Sequence, residues 1–198
     1  MLYHTLKHLI LASGSPRRQE MLESMGMDFR VVASGVNESM GGGHETPDAL
    51  AGRWALAKAR RVAGELPGAW VLAADTVVAL EGQVFGKPRD ETEAISMLRA
   101  LSGKTHRVFS GMALVHLEQG VCREAVVCTS VTFRILSLDE IRAYVRTGEP
   151  FDKAGAYGIQ GLGAFLVQSI EGSYTNVVGL PLGETLDWLL EHAIIKPR

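Results

Sequence analysis

The chain has 198 residues, 20 basic and 22 acidic side chains and a net charge of −2. That length suffices for one large domain or two small lobes with a proper core, and the reading expects a single folding unit over 1–198. The near-neutral balance implies no polyanion-binding surface, and the absence of a basic aromatic stripe disfavours a nucleic-acid-binding module, so any affinity for anions has to be local.

In chain order, Leu9–Ala12 is a short apolar run predicting a buried strand, followed by the small-residue turn Ser13-Gly14-Ser15. Pro16 suits the first position of a helix, with Ser15 as its N-cap. Arg17 and Arg18 put two cations in the first turn, where the helix dipole disfavours them. An anion docked on the unpaired N–H groups would relieve that conflict. An ordinary capped helix with solvated arginines is the alternative, and the stretch alone leaves both open.

Met21, Leu22 and Met25 follow at helical spacing until Gly26, and Phe29–Ala33 reads as a second strand. Ser34–Glu45, with its run Gly41-Gly42-Gly43, reads as a surface loop holding Glu38 and Glu45. Thr46-Pro47-Asp48 starts a helix whose apolar stripe includes Leu50, Trp54 and Val62 and which ends at Gly64. Lys58, Arg60 and Arg61 lie toward its C-terminal end, where a solvated, dipole-matched face is the simplest reading.

Trp70–Leu80 is continuous and apolar and should be central in a sheet, yet Asp75 sits in its middle. An unpaired carboxylate there costs several kcal/mol, so it requires a cation, a metal or a donor network; a metal is the favoured expectation. Lys87 is presented between Gly86 and Pro88, but the spacing from Gly82 is one residue short of a P-loop and Pro88 replaces the metal-binding hydroxyl, so that motif is rejected.

Asp90 and Glu93 open a helix through Leu101. Val108–Leu117 and Val121–Ile135 flank Glu118-Gln-Gly120 as a hairpin, with Cys122 and Cys128 on one strand face, too far apart to bridge and read as buried thiols. Ser137 and Glu140 start another helix, which ends near Gly148. The glycine-rich segment Asp152–Gly161 suits close approach to a ligand. Ala164–Ile170 reads as a strand and Pro181–Ile195 as an amphipathic closing helix. Interleaved helices and strands with one long hairpin predict an α/β class with a mixed sheet. The short apolar run after His4, Lys7 and His8 is no signal-peptide core, so a soluble, cytoplasmic protein without a membrane partner is expected.

Five segments, Ser13-Gly-Ser-Pro-Arg-Arg18, Ala74-Asp-Thr-Val-Val78, Gly86-Lys-Pro88, Asp152–Gly161 and Val178-Gly-Leu-Pro181, occur in an order that resembles the Maf family of nucleoside triphosphate pyrophosphatases, from about Leu9 to Leu190. The wording Ala156-Tyr-Gly-Ile-Gln160 resembles the branch acting on dTTP and UTP rather than the one preferring 7-methyl-GTP. The resemblance implies a Maf/ITPase-like fold: a mixed twisted sheet with flanking helices, and two lobes around a central cleft. It further implies a homodimer and a divalent cation, Mg²⁺ or Mn²⁺, in cleavage of the α–β phosphoanhydride of a nucleoside triphosphate. Position by position, Asp75 matches the catalytic acidic residue, the proton acceptor, and Lys58 and Lys87 match the catalytic cations. Ser13, Arg17, Arg18, Thr76 and Gln160 match substrate-binding positions, with Arg17, Thr76 and Gln160 tied to base choice. Glu38 with Asp75 would hold the metal. Two competing readings are a nucleotidyltransferase, which would need an acceptor substrate, and a nucleotide-binding regulator of septum formation.

Overall fold

The structure is a computed structural model describing residues 2–37 and 45–198. Glu38 and the glycine run at 41–43 lie outside the described residues.

In chain order the described elements are β1 (Tyr3–Thr5), β2 (Leu9–Leu11), α1 (Pro16–Ser24), β3 (Arg30–Val31), α2 (Pro47–Glu65), β4 (Trp70–Leu80), β5 (Gln83–Phe85), α3 (Glu91–Leu101), β6 (Thr105–His116), β7 (Val121–Phe133), α4 (Leu138–Val145), β8 (Val167–Glu171), α5 (Tyr174–Val178), α6 (Leu182–Glu191) and β9 (Ile195–Pro197). Short 3₁₀ turns occupy Glu149–Asp152, Ala154–Ala156 and Gly161–Leu166. The main sheet runs β3-β2-β4-β6-β7-β8, with β5 also on β4, and β1 pairs with β9 separately. Strands β3, β2 and β4 are mutually parallel; the remaining pairs are antiparallel, so the sheet is mixed as expected.

Strand β4 is the axis of the molecule, and its pairing explains where a cleft can form. One edge is paired with β6 from Val71 to Ala79. The other edge is shared: β2 takes Trp70–Leu72, and β5 takes Val78–Leu80. No described strand pairs with that edge over residues 73–77, so the sheet is split there and side chains from both faces of β4 reach the opening.

Strand alternation then divides the core. On one face, Val71 and Ala73 pack with Ala55, Ala59 and Val62 of α2, while Val77 packs with Leu50, Ala51 and Trp54. On the other, Leu72 and Ala74 pack with Leu180, Trp188 and Leu189, while Val78 and Leu80 pack with Leu98, Leu101, Phe133 and Tyr157. Asp75 interrupts the first face and Thr76 the second. The two-lobed organisation is thus a polar waist across one continuous strand.

Gly111 lies opposite Asp75 in the β4–β6 register. A Cβ there would sit 2.2 Å from the Ala51 carbonyl oxygen, so only glycine lets α2 descend this close to the sheet. No described helix is long and apolar enough to cross a membrane.

Several sequence expectations need correction. Ala164–Ile170 is a 3₁₀ turn to Leu166 and a strand only from Val167, because Gly161 adopts φ +71° and Gly163 packs directly on the Gly158 carbonyl. The second strand shrinks to Arg30–Val31. The strand predicted to reach Ile135 stops at Phe133, and Ile135 is 83 % exposed. The closing helix ends at Glu191, after which Ala193 at φ 49° turns the chain into β9. Cys122 and Cys128 share a strand face and are unbridged, but both are exposed, as are Glu124 and Val126 between them on that face of β7.

Candidate active site

The first wall is the β2–α1 turn. The buried run Leu9–Ala12 delivers Ser13, itself 6 % exposed, to the mouth of the opening. Ser15 is the N-cap by backbone geometry, yet its side chain makes no cap bond; its N–H donates instead to Ser13 Oγ at 3.2 Å. The two arginines have different surroundings. Arg18 is 8 % exposed and donates through Nε to Gly179 O (2.7 Å), through Nη1 to Ser13 Oγ (3.0 Å) and through Nη2 to Thr76 Oγ1 (3.1 Å). It staples the turn to β4 and to the α5–α6 junction. Arg17 reaches across the opening, donating through Nη1 to Asp152 Oδ2 at 2.9 Å.

The floor is the waist of β4. Asp75 is 5 % exposed and Lys58 7 %, and Lys58 Nζ donates directly to Asp75 Oδ1. Lys58 is therefore on the buried face of α2, against the simplest sequence reading, while Arg60 and Arg61 are exposed as expected. The seating of α2 on Gly111 brings Lys58, two turns further along the helix, to the carboxylate. On the opposite face, Thr76 Oγ1 lies 2.8 Å from Ser110 Oγ, which donates to Asn176 O at 3.0 Å. With Arg18 as donor to Thr76, this forms a hydrogen-bonded relay that fixes the threonine.

The second wall combines β5 with the glycine-rich segment. Lys87 is exposed and, among the described residues, makes no hydrogen bond or ion pair. The Gly155 N–H donates to Gly86 O at 3.1 Å, tying the two stretches together. Gly155 at φ +70° also sits against Val78, 3.0 Å from where its Cβ would be. Burial pushes the Asp152 carboxyl up, but hydrogen bonds from Lys153 and Arg17 outweigh it and hold the group below the usual carboxylate range. Gln160, exposed, closes this wall.

Ser13, Arg17, Arg18, Lys58, Asp75, Thr76, Lys87 and Gln160 thus all line one cleft of about 680 Å³. Asp152 and Lys153 line it too, and the sequence reading placed them only in a ligand-approach segment; their signal was an ion-pair dipeptide leading into Gly155. Among the described lining residues, five basic side chains face two acidic ones, in a chain whose net charge is −2. The excess of positive charge is therefore local, as an anionic ligand requires.

A protein-family comparison matches residues 8–192 to the family described as Maf-like protein. The chain is 54 % identical over 185 residues to a Myxococcus xanthus (strain DK1622) protein named dTTP/UTP pyrophosphatase, covering 93 % of this chain and 92 % of that one. It is 52 % identical over 190 residues to a protein of the same name from Geotalea uraniireducens (strain Rf4), covering 96 % and 97 %. A third protein of that name, from Desulfotalea psychrophila (strain LSv54 / DSM 12343), is 44 % identical over 195 residues, covering 98 % and 100 %. With the match running from before Leu9 through α6, this chain belongs to the Maf-like protein family.

Proposed function

We propose that the chain is a nucleoside triphosphate pyrophosphatase that hydrolyses dTTP and UTP to the monophosphate and pyrophosphate, a house-cleaning activity on nucleotide pools that extends to modified pyrimidine nucleotides. The observation carrying this reading is the convergence of five basic side chains on one cleft beside buried Asp75. It is supported by relatives of that name at 44 % to 54 % identity over most of the chain.

In this reading Arg17, Lys58 and Lys87 neutralise a triphosphate charge of about −4, and Ser13 with the first N–H groups of α1 takes a phosphate. Arg18 acts from behind, holding Ser13 and Thr76 in place. Water attacks the α-phosphorus, the α–β anhydride breaks, pyrophosphate leaves and the attacking water's proton passes to Asp75. Once Asp75 is protonated, Lys58 loses that counter-charge and the phosphate oxygens in the cleft become its partner. Gln160 presents both a donor and an acceptor, which suits the O4 and N3–H edge of uracil or thymine.

This reading also takes a divalent cation, Mg²⁺ or Mn²⁺, which the family resemblance implies. Asp75 brings hard oxygen atoms to the cleft wall, and among the described residues no three His, Cys, Asp or Glu gather. Phosphate oxygens would complete the shell, as Mg²⁺ commonly arranges. Asp75 and Glu38 would hold the ion, Glu38 on the resemblance alone; a carboxylate bound to a cation is a weak base, so either ligation or proton acceptance dominates at Asp75. When bound, it supplies charge neutralisation and acidifies a coordinated water. The same reading includes a cytoplasmic location and a homodimer, the latter measured by sedimentation of the purified chain.

The test is a panel of ordinary and modified nucleoside triphosphates with Mg²⁺ or Mn²⁺, scored for pyrophosphate. dTTP and UTP should lead. Release of orthophosphate instead, or strongest turnover of a purine triphosphate, would overturn the assignment.

A further inference from the structure

The stretch carrying Gln160 is held from behind by one carboxylate. Glu149 Oε1 accepts hydrogen bonds from Tyr144 Oη (2.8 Å) and from the Gly163 N–H (2.9 Å), and Oε2 accepts the Leu162 N–H (3.0 Å). Tyr144 Oη in turn accepts the Gly158 N–H at 3.2 Å. Backbone donors on both sides of Gln160 therefore end on a single phenol–carboxylate pair. The glycines are built around it: a Cβ on Gly163 would lie 2.2 Å from Gly158 O and 2.6 Å from Tyr144 Oη, and one on Gly161 would lie 2.9 Å from Glu149 Oε2. Lys153 closes the remaining side, its Nζ donating to Glu149 O at 2.7 Å and its Cε lying 2.7 Å from where a Gly158 Cβ would be.

Gln160 itself is exposed, and its side chain has no hydrogen bond to a described residue. Its position in the cleft is consequently set by the backbone that carries it. A group that selects a base by hydrogen bonding has to be placed to within roughly 0.5 Å, so whatever anchors that backbone shares in the selection. The anchor is also chemically constant at neutral pH. Burial pushes the Tyr144 hydroxyl up, keeping it a donor. Burial likewise raises Glu149, but bonds from Gly163, Tyr144 and Leu162 and the Lys153 charge outweigh it and keep the carboxylate an acceptor.

We propose that Glu149 and Tyr144 are positioning residues for base selection, holding residues 158–163 so that Gln160 meets the pyrimidine edge. This rests on reading the cleft as a pyrimidine nucleoside triphosphate site.

The experiment is Glu149→Gln, which puts an NH₂ donor opposite a backbone N–H. The ratio of kcat/KM for UTP over CTP should fall about tenfold, because selection by hydrogen bonds depends on their geometry. Inhibition by inorganic tripolyphosphate should stay within about twofold, since the phosphate end of the cleft is untouched. Added to Gln160→Ala, the substitution should change selectivity no further, as expected when one residue acts through another. Amide hydrogen exchange at Gly158, Leu162 and Gly163 should accelerate. Tyr144→Phe removes one hydroxyl and carries the same test if Glu149→Gln folds poorly. Retained selectivity, additivity with Gln160→Ala, or an equal loss of tripolyphosphate binding would overturn the assignment alone. A wild-type protein without pyrimidine preference would overturn the reading of the cleft and this inference with it.

Discussion

Asparagine in place of Asp75 exchanges one oxygen for an NH₂ and removes one charge, and the structure sets the scale of the consequence. Asp75 and Lys58 are 5 % and 7 % exposed and directly paired, so the variant leaves an ammonium beside a neutral amide. Breaking a buried pair from one side costs about 3–5 kcal/mol, and at the wall of an open cleft the lower end, about 3 kcal/mol, is expected. For a chain of this length each kcal/mol moves the melting midpoint by about 2–4 °C, so a fall of roughly 6–12 °C follows with the fold retained. Pyrophosphate release should drop at least about 10²-fold, the lower range for losing a positioned base. The double variant Lys58→Met/Asp75→Leu removes both charges and should recover most of the stability and none of the activity. Thermal melts at fixed salt and a coupled pyrophosphate assay measure both quantities. An Asp75→Asn protein melting within about 2 °C of wild type, or turning over at a comparable rate, would refute the reasoning.

Lys87→Ala should leave stability within about 0.5 kcal/mol, because the side chain is exposed without a described partner, while kcat/KM for UTP falls about tenfold or more; an unchanged rate would assign Lys87 to the surface. Gly111→Ala should cost at least about 3 kcal/mol in urea unfolding, the top of the overpacking range, because the clash 2.2 Å away is with the backbone of α2; an unchanged midpoint would argue against the close approach. His106 is 1 % exposed, its Nε2 is 2.8 Å from Tyr157 Oη, and burial lowers its pKa to about 4. The unfolded chain then binds more protons between pH 6.5 and about 4, so stability present above pH 6.5 should be lost as pH falls through that window, by up to about 3 kcal/mol. Urea midpoints against pH should slope downward toward acid for wild type and run flatter for His106→Gln.

Much of the fold and site was legible in local patterns, for identifiable reasons. The apolar run Trp70–Leu80 is long and unbroken enough to demand a position inside a sheet, and a carboxylate inside such a run demands a partner. Ser137 and Glu140 specify a capping box within four residues, and the structure contains both of its bonds. Local patterns were weaker where packing decides. Ala164–Leu166 has strand composition, but Gly163 against the Gly158 carbonyl selects a 3₁₀ turn. Cys122 and Cys128 alternate like core residues, but whether a strand face is covered is decided by elements from elsewhere in the chain, and this face is left exposed.

The turn at Ser13–Arg18 shows where the division falls. Its strand, its small-residue turn and its proline-started helix follow from residue chemistry alone, and so does the presence of two cations at the helix start. That Arg18 turns inward to Gly179 and Thr76 while Arg17 crosses to Asp152 depends on residues 58 to 161 positions away. The same holds for the choice of Lys58 over Arg60 or Arg61, and for the opening in the edge of β4, which exists because β2 and β5 pair with its two ends and no described strand pairs between them. The sequence by itself determined which chemical groups and local conformations were available; strand register and helix seating, which are non-local, decided which of those groups meet in the cleft.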